Sequence, residues 1–308
     1  MSGTERRGPG GPAADSLDVV VVVVNFNAGA HLVDCVDSLV AAGAPDIIVV
    51  DNASTDDSRG LVVDRHPQVA WMDAGANLGY GRAANLGAAR SGADVVVCNP
   101  DVVVAPDALR LLVAGLAADA DLGIVGPLVH NSDGTIYPSA RTFPDLVDAM
   151  GHGLLGLVTP HNPFTRRYRL LDWDHHDARR VDWVSGACML VRRQAWDAIG
   201  GFDPSYFMYL EDVDLCWRAQ RAGWDVIYEP AAEVTHAQGI STRLRPYRML
   251  AIHHWSMWRF AWRSTVGGRR ALLPVVGVGL IARLGVAGLR HRAGGQKAEV
   301  PARSEPDH

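Results

Sequence analysis

The chain has 308 residues, 48% of them apolar and 20% charged, with a formal net charge of −5. That length supports one large α/β domain or two small ones with a sizeable core. The acidic balance argues against a general nucleic-acid binder, and the four cysteines (Cys35, Cys98, Cys188, Cys216) form no CxxC pair, which points to buried free thiols in a reducing compartment.

Residues 1–17 begin MSGTERRGPGGPAADS, a Gly/Pro-rich composition expected to be a disordered tail. The apolar run Val19–Val24 is too short for a signal-peptide core and no cleavage site follows it, so a cytoplasmic protein is expected. Four runs then read as buried strands: DVVVVVVNFN (Asp18–Asn27), DIIVVDNAST (Asp46–Thr55), VAWMDAG (Val69–Gly75) and DVVVCNPDV (Asp94–Val102). They are continuously apolar rather than alternating, as parallel strands covered on both faces require. Helical patterns lie between and after them, near His31–Ala42, Asp56–Arg65, Gly81–Ser91 and Pro106–Ala118. This alternation predicts a parallel, doubly wound sheet over that part of the chain. Past Gly123 the pattern becomes mixed. GIVGPLV, VDWVSGACMLVRR (Val181–Arg193) and WDVIYEP (Trp224–Pro230) read as strands, and Glu211–Ala222 as a helix. Tyr137–Asp177, rich in Pro, His and Arg, reads as irregular or lid-like.

Each of the first four strands ends in polar residues: Asn25 and Asn27, Asp51 and Asn52, Asn77, then Asn99 and Asp101. Ligands of open α/β sheets bind beyond the carboxyl ends of the strands, so these ends point to one shared site. Asp51 can accept a hydrogen bond from a nucleobase imide, while Ser54 and Asp56 fit the N-cap and first turn of the next helix. GANLGYGRAANLG (Gly75–Gly87) allows close backbone approach, but it follows the third strand and contains no GxGxxG, which argues against a nicotinamide cofactor. Asp101 suits Mg2+ or Mn2+, which take oxygen ligands and share them with substrate phosphates; a turn around Pro100 explains the same residues. In YFMYLEDVDLCWR, Glu211, Asp212 and Asp214 fit a helix first turn, where the macrodipole favours acids, and Asp214 and Arg218 are spaced to pair. The aromatic residues just before would partly desolvate a carboxylate there, as suits a general base.

The order DNxSxD, NxGxxxxxN, a DxD-like triplet, EDxDLxxR and then a His resembles the family 2 inverting glycosyltransferases of GT-A type, over about Val19 to Thr242. GANLGYG, DGTIYPSAR, NPFTRRYR, WVSGACMLVRR, GGFDPSYFMYLEDVDL and HAQGIST resemble more closely still the actinobacterial rhamnosyltransferases acting on N-acetylglucosaminyl diphosphoryl polyprenol in cell-wall linker synthesis. The resemblance implies a Rossmann-like mixed α/β sheet flanked by helices. It implies donor contacts from Asn25, Asn27, Asp51, Asn77, Gly79, Asn85, Asn99 and Asp101, with Asp51 at the base and Asn77 and Asn85 near ribose and phosphates. Mg2+ or Mn2+ would be held by Asp101 and His236, although Asn99 stands where the family's first Asp usually does. Asp212 would be the general base, with Glu211 and Asp214 mostly serving helix start and pairing. Trp183, Ser185, Gly186, Glu211, Arg243 and Arg245 are the expected acceptor-side residues. The implied donor is dTDP-rhamnose and the acceptor lipid-linked; a homodimer is left open.

From Ser241 to Ala298 there is no Asp or Glu, while Arg243, Arg245, Arg248, Arg259, Arg263 and further arginines fall there. HHWSMWRFAWRS interleaves aromatics with arginine, and ALLPVVGVGLIARLGVAGL (Ala271–Leu289) is apolar but broken by Pro274 and Arg283. A span would bury Arg283 near its middle, so an interfacial segment on an anionic membrane surface is favoured over a core helix or a span. The expected organisation is a tail over 1–17, a catalytic domain over 18–242, a basic membrane-associating helical segment over 243–292 and a second tail over 293–308. The enzyme would sit at the inner face of the plasma membrane. Two other classes compete. A sugar nucleotidyltransferase would need a basic Gly-rich loop after the first strand, which NFNAGAH does not supply. A non-catalytic sugar-nucleotide or lipid-binding protein would be marked by loss of Asp101 or Asp212, and both are present.

Overall fold

The computed structural model describes residues 17–143, 162–237 and 246–295. Strands β1 (Val19–Asn25), β2 (Asp46–Asp51), β3 (Ala70–Asp73) and β4 (Asp94–Cys98) alternate with helices α1 (Ala30–Ala41), α2 (Ser58–Val63) and α3 (Tyr80–Ala88). These four strands are parallel and adjacent in the order β3-β2-β1-β4. Both faces of β1 are covered. Val19, Val21 and Val23 pack with α1 and with α4 (Ala108–Ala117), while Val20, Val22 and Val24 pack towards α3. Each valine fully buried this way contributes about 1.5–3 kcal/mol, which is why an uninterrupted valine run is stable only as an inner strand.

The second half continues the sheet with mixed polarity. After β5 (Val102–Val104) come β6 (Leu122–Asn131) and the short β7 (Ile136–Tyr137) and β8 (Ala140–Arg141). Helix α5 (Pro163–Arg169) precedes β9 (Arg179–Arg180), β10 (Trp183–Val184), β11 (Cys188–Val191) and α6 (Arg193–Ile199). Then follow α7 (Glu211–Arg221), β12 (Asp225–His236), α8 (Pro246–Ser264), a 3-10 turn (Gly267–Leu272) and α9 (Leu273–Gly295). Beyond β4 the main sheet runs β11-β6-β12-β5, with β11 antiparallel to both its neighbours and β12 parallel to β6. Helices α6 and α7 cover the same face as α3.

Three expectations change. Val181–Arg193 is not one strand but β10 and β11 separated at Ser185–Ala187. Part of the segment expected to be irregular is helical: Asn162 caps α5 by accepting from the Thr165 N–H at 2.9 Å, with Pro163 in its first turn. The strand expected to stop at Pro230 runs on to His236, past a register shift against β6 between Glu229 and Glu233. All four cysteines are buried and free, as expected.

The order in which strands are added reverses at β1: β2 lies on one side of it and β4 on the other. This is a topological switch point, and it opens a crevice at the carboxyl edge of the sheet.

Candidate active site

On the β2 side of the crevice Asp51 is 8% exposed and firmly held. Its Oδ1 accepts from Asn25 Nδ2 at 2.8 Å and its Oδ2 from the Ser54 N–H at 3.1 Å. Ser54 Oγ in turn accepts from Asn25 Nδ2 and from the Asn27 N–H, both at 3.0 Å. Ser54 therefore ties the β1 and β2 ends together and does not cap α2, whose N-cap position is Asp57. Asn27, with φ 53°, accepts from the Thr55 N–H at 2.7 Å. Asn77 Oδ1 takes Asn52 Nδ2 and the Gly79 N–H, both at 3.1 Å, which fixes the loop after β3. Asn25, Asn27, Asp51 and Asn77 are thus brought to one wall, and Asp51 keeps lone pairs for a donor such as an imide N–H.

Gly79 and Asn85 have tasks the sequence did not reveal. Gly79 has φ 86°, and a Cβ there would lie 2.2 Å from the Phe207 carbonyl oxygen. Only glycine lets the start of α3 reach the 201–210 segment, where the Tyr80 N–H donates to that same carbonyl at 3.0 Å. Asn85 was expected near ribose and phosphates. Instead its amide donates to the Phe202 carbonyl at 2.8 Å and accepts from the Phe202 N–H at 2.9 Å, so it anchors that segment.

On the other side of the switch point Asn99, Asp101 and His236 converge, with His236 contributed by the last residue of β12. His236 Nε2 lies 3.1 Å from Asp101 Oδ1 and 3.3 Å from Asn99 Nδ2. His236 Nδ1 is buried without a hydrogen-bond partner. A carboxylate and an imidazole side by side can both ligate a divalent cation. Among the described residues no group of three or more His, Cys, Asp or Glu could hold a metal. Asp101 and His236 offer two donors, and the pair fits an ion that completes its shell with substrate phosphates and water, as Mg2+ commonly does.

Asp212 faces the break between β10 and β11. Its Oδ2 accepts from the Gly186 N–H and its Oδ1 from the Val213 N–H, each at 2.9 Å. Tyr80 Oη donates to the Gly186 carbonyl at 2.9 Å and so steadies that peptide from the opposite wall. Burial pushes the Asp212 carboxyl upward, against the pull of the two N–H groups and of Arg141. The helix enters through two successive left-handed residues, Tyr209 (φ 67°) and Leu210 (φ 62°). Such non-glycine conformations cost about 1–3 kcal/mol each and persist only where the surroundings fix them. Here Ser256 of α8 donates to the Met208 carbonyl at 3.0 Å, while Tyr80 holds that of Phe207.

The neighbouring acids divide. Asp214 pairs with Arg218 at 2.6 Å, as its spacing predicted, and is fully buried. Glu211 does not pair: its Oε2 is buried with no partner among the described residues. Burial, and then the charge of Asp212, push the Glu211 carboxyl up to about 8.

Of the acceptor-side residues, Ser185 and Gly186 form the loop that Asp212 faces, and the Gly186 N–H holds its carboxylate. Trp183 is only 5% exposed, and its indole N–H donates to the Thr142 carbonyl at 2.9 Å. It serves as one wall of an aromatic cage around Arg141, whose guanidinium lies 5.1 Å from the Trp183 ring, 5.3 Å from Tyr137 and 5.6 Å from Tyr168. Arg141 was missed as a site residue, although it lies in DGTIYPSAR; nothing in that stretch announces the cage. Arg243 and Arg245 fall outside the described residues.

The switch-point crevice thus gathers Asp51 on one wall, the Asp101–His236 pair and the clamped carboxylate of Asp212. The model of the family described as "Glycosyltransferase like family 2" matches residues 17–251, and the chain belongs to that family. Its curated relatives include the N-acetylglucosaminyl-diphospho-decaprenol L-rhamnosyltransferase of Mycobacterium tuberculosis, 39% identical over 277 residues, 82% of this chain and 90% of the relative. Rhamnosyltransferase WbbL of Escherichia coli is 30% identical over 143 residues, 46% of this chain and 51% of its own. Among solved structures, a mannosyltransferase from Pyrobaculum calidifontis in complex with GDP-Man and Mn2+ superposes with a TM-score of 0.55 at 16% identity, covering 90% of this chain and 76% of that one. GalNAc-T7 with UDP, GalNAc and Mn2+ also reaches 0.55 at 16% identity, over 87% of this chain and 55% of that one. These two likenesses establish the GT-A-like fold.

Proposed function

We propose that this enzyme transfers L-rhamnose from dTDP-β-L-rhamnose, with inversion, to a polyprenyl diphosphate-linked N-acetylglucosamine. The observation that carries the reading is Asp212: a partly buried carboxylate aimed by two backbone N–H groups. The relative from Mycobacterium tuberculosis, similar along nearly its whole length, supports the sugar and the acceptor. Asn25, Asn27, Asp51 and Asn77, at the ends of β1 and β2 and in the loop after β3, hold the nucleoside, with Asp51 accepting from the base. Asp101 and His236 would hold Mg2+ or Mn2+, which, when bound, neutralises the leaving diphosphate as a Lewis acid. Asp212 removes the proton from the acceptor hydroxyl as that oxygen forms the new glycosidic bond. Its raised proton affinity makes it a stronger base than an exposed carboxylate, while the Gly186 and Val213 N–H groups, and then Arg141, favour its ionised form. A single displacement needs no second nucleophilic carboxylate, so a β-linked donor gives an α-linked product.

The C-terminal helices would keep the enzyme on an anionic membrane at its cytoplasmic face. Among the described residues no helix is long and apolar enough to cross a membrane. Yet Trp255, Trp262, Val266, Val275, Val278 and Ile281 are all more than half exposed in an acid-free stretch. Such a surface suits interfacial binding. The function is tested by offering purified enzyme a panel of nucleotide-sugars with N-acetylglucosaminyl diphosphoryl prenol and following release of nucleoside diphosphate. Release of dTDP that depends on the acceptor is expected from dTDP-rhamnose; preference for another donor would refute the assignment.

A further inference from the structure

One cavity among the described residues is lined by none of the crevice residues. It is a groove of about 780 Å3 on the outer side of α8, bounded by the turn into α9. Its lining combines three indoles (Trp255, Trp258, Trp262) with three guanidinium groups (Arg259, Arg263, Arg270). The volume lies within the roughly 300–1,000 Å3 typical of small-molecule sites. We propose that this groove binds the diphosphate-proximal part of the acceptor's isoprenoid chain, with the indoles along the chain and the arginines towards the diphosphate.

Three observations support this occupant. The first is chemistry. Asp203 is the one acid in the lining, against three arginines. It pairs with Arg263 and lies 4.0 Å from Arg259. One acid against three arginines leaves the lining with a net positive charge for a further anion. The second is shape. Trp258 and Trp262 are 6.0 Å apart between ring centroids, and Trp258 packs against Gly277, where a Cβ would come within 3.1 Å of the ring. Arg270, in the turn into α9, lies over the Trp262 ring at 6.0 Å and closes one side of the trough, while Trp255 and Trp262 remain 62% and 55% exposed. A flexible branched hydrocarbon fits such a trough, and a hydrophilic ligand would leave the indoles uncovered. The third is continuity with the catalytic site. Helix α8 follows the segment that leads into Asp212: His253 stacks edge-on against Tyr209 at 5.2 Å, Ser256 bonds the Met208 carbonyl, and Arg259 lies over Tyr206 at 5.6 Å. An acceptor with its sugar at Asp212 would pass the Tyr209–His253 contact before its chain reaches Trp255.

The proposal rests on the reading of the acceptor as a prenyl diphosphate, and its test is separable from that reading. Full-length enzyme is titrated by calorimetry with farnesyl diphosphate and with inorganic diphosphate, in EDTA so that no divalent cation draws the diphosphate to Asp101. Farnesyl diphosphate should bind at least about tenfold more tightly than inorganic diphosphate, and Trp255→Ala/Trp262→Ala should remove most of that difference. Arg259→Gln should weaken both probes. Unchanged dTDP affinity in Mg2+ shows that each variant is folded. Equal affinity for the two probes, or a double variant that binds farnesyl diphosphate like the wild type, would overturn the groove. So would variants that lose phosphatidylglycerol vesicles but keep farnesyl diphosphate, because the indoles would then serve a headgroup surface. An enzyme that binds farnesyl diphosphate through these indoles yet glycosylates no lipid-linked N-acetylglucosamine would uphold the groove and refute the proposed function.

Discussion

Replacing Asp212 by Asn tests the base directly. The two side chains have the same shape, and the environment of the carboxylate is known atom by atom. Two N–H groups, of Gly186 and Val213, point at its two oxygens at 2.9 Å. An Asn can accept from only one of them and must turn its NH2 towards the other. One N–H is then left without a partner, at a cost of about 1–3 kcal/mol, partly offset because a buried charge has been removed. The melting temperature should therefore move by no more than several degrees. Turnover should behave differently. A positioned base is worth about 10²–10⁴ in rate, or roughly 3–5 kcal/mol of barrier. Among the described residues the Asp212 carboxylate bonds the Gly186 and Val213 N–H groups and none of the proposed donor residues, so calorimetry with dTDP and Mg2+ should give the wild-type affinity. The assay is acceptor-dependent dTDP release, with melting and dTDP binding measured on the same preparation. Turnover within about threefold of wild type would refute Asp212 as the base. A matching loss of dTDP binding would show instead that the substitution damages the donor site.

Gly186→Ala places a Cβ 3.1 Å from Asp212 Cβ and 3.5 Å from its Oδ2, and should push the carboxylate off its aim. Steady-state kinetics should show kcat lower by about tenfold to a hundredfold with the donor KM kept, since small misplacements of a catalytic group are costly. Asp101→Ala should abolish the dependence of dTDP affinity on Mn2+, read by calorimetry with and without the ion. Glu211→Gln should change the pH dependence of stability. The carboxyl binds its proton more tightly folded, near 8, than unfolded, so the wild type loses stability as pH rises between the two values. That loss is about 1.4 kcal/mol per pH unit, and urea unfolding from pH 5 to 8 should show it shrink in the variant.

The sheet was legible because its physics is local to each strand. A strand covered on both faces needs an unbroken apolar run, and VVVVVV or DIIVV can hardly serve elsewhere. The polar strand ends were legible for the same reason: the run stops where the sheet edge meets the crevice. What stayed hidden depends on distant partners. The break in VDWVSGACMLVRR falls inside an apolar stretch, and it is imposed by the Ser139 carbonyl, which takes the Ser185 N–H, and by Asp212, which takes that of Gly186. Asn85 matched a sugar-nucleotide motif, but the chain uses its amide to anchor Phe202, more than a hundred residues away. Glu211 looked like a helix-start acid; only the packing shows that its carboxyl is buried without a partner.

The basic C-terminal stretch shows the same limit and changes what can be removed from the protein. Its composition suggests a membrane-associating segment separable from the catalytic domain, with a boundary between 242 and 243 that lies outside the described residues. Helix α8 nevertheless enters the core. Phe260 is 2% exposed and packs against Trp217 at 6.2 Å and Phe143 at 6.4 Å. Arg263 reaches Asp214, which has no solvent exposure of its own, at 3.4 Å. Ser256 holds the carbonyl that precedes the two left-handed residues before Asp212. Cutting the chain after Thr242 would uncover Phe260's pocket and release the constraint that keeps Tyr209 and Leu210 in their conformation. The proposed donor residues Asp51 and Asp101 make none of these contacts, whereas the segment that leads into Asp212 depends on them. The face of α8 turned inward thus supports the base, and the face turned outward carries the exposed indoles. Substitutions confined to Trp255 and Trp262 separate those two roles, which a truncation would remove together.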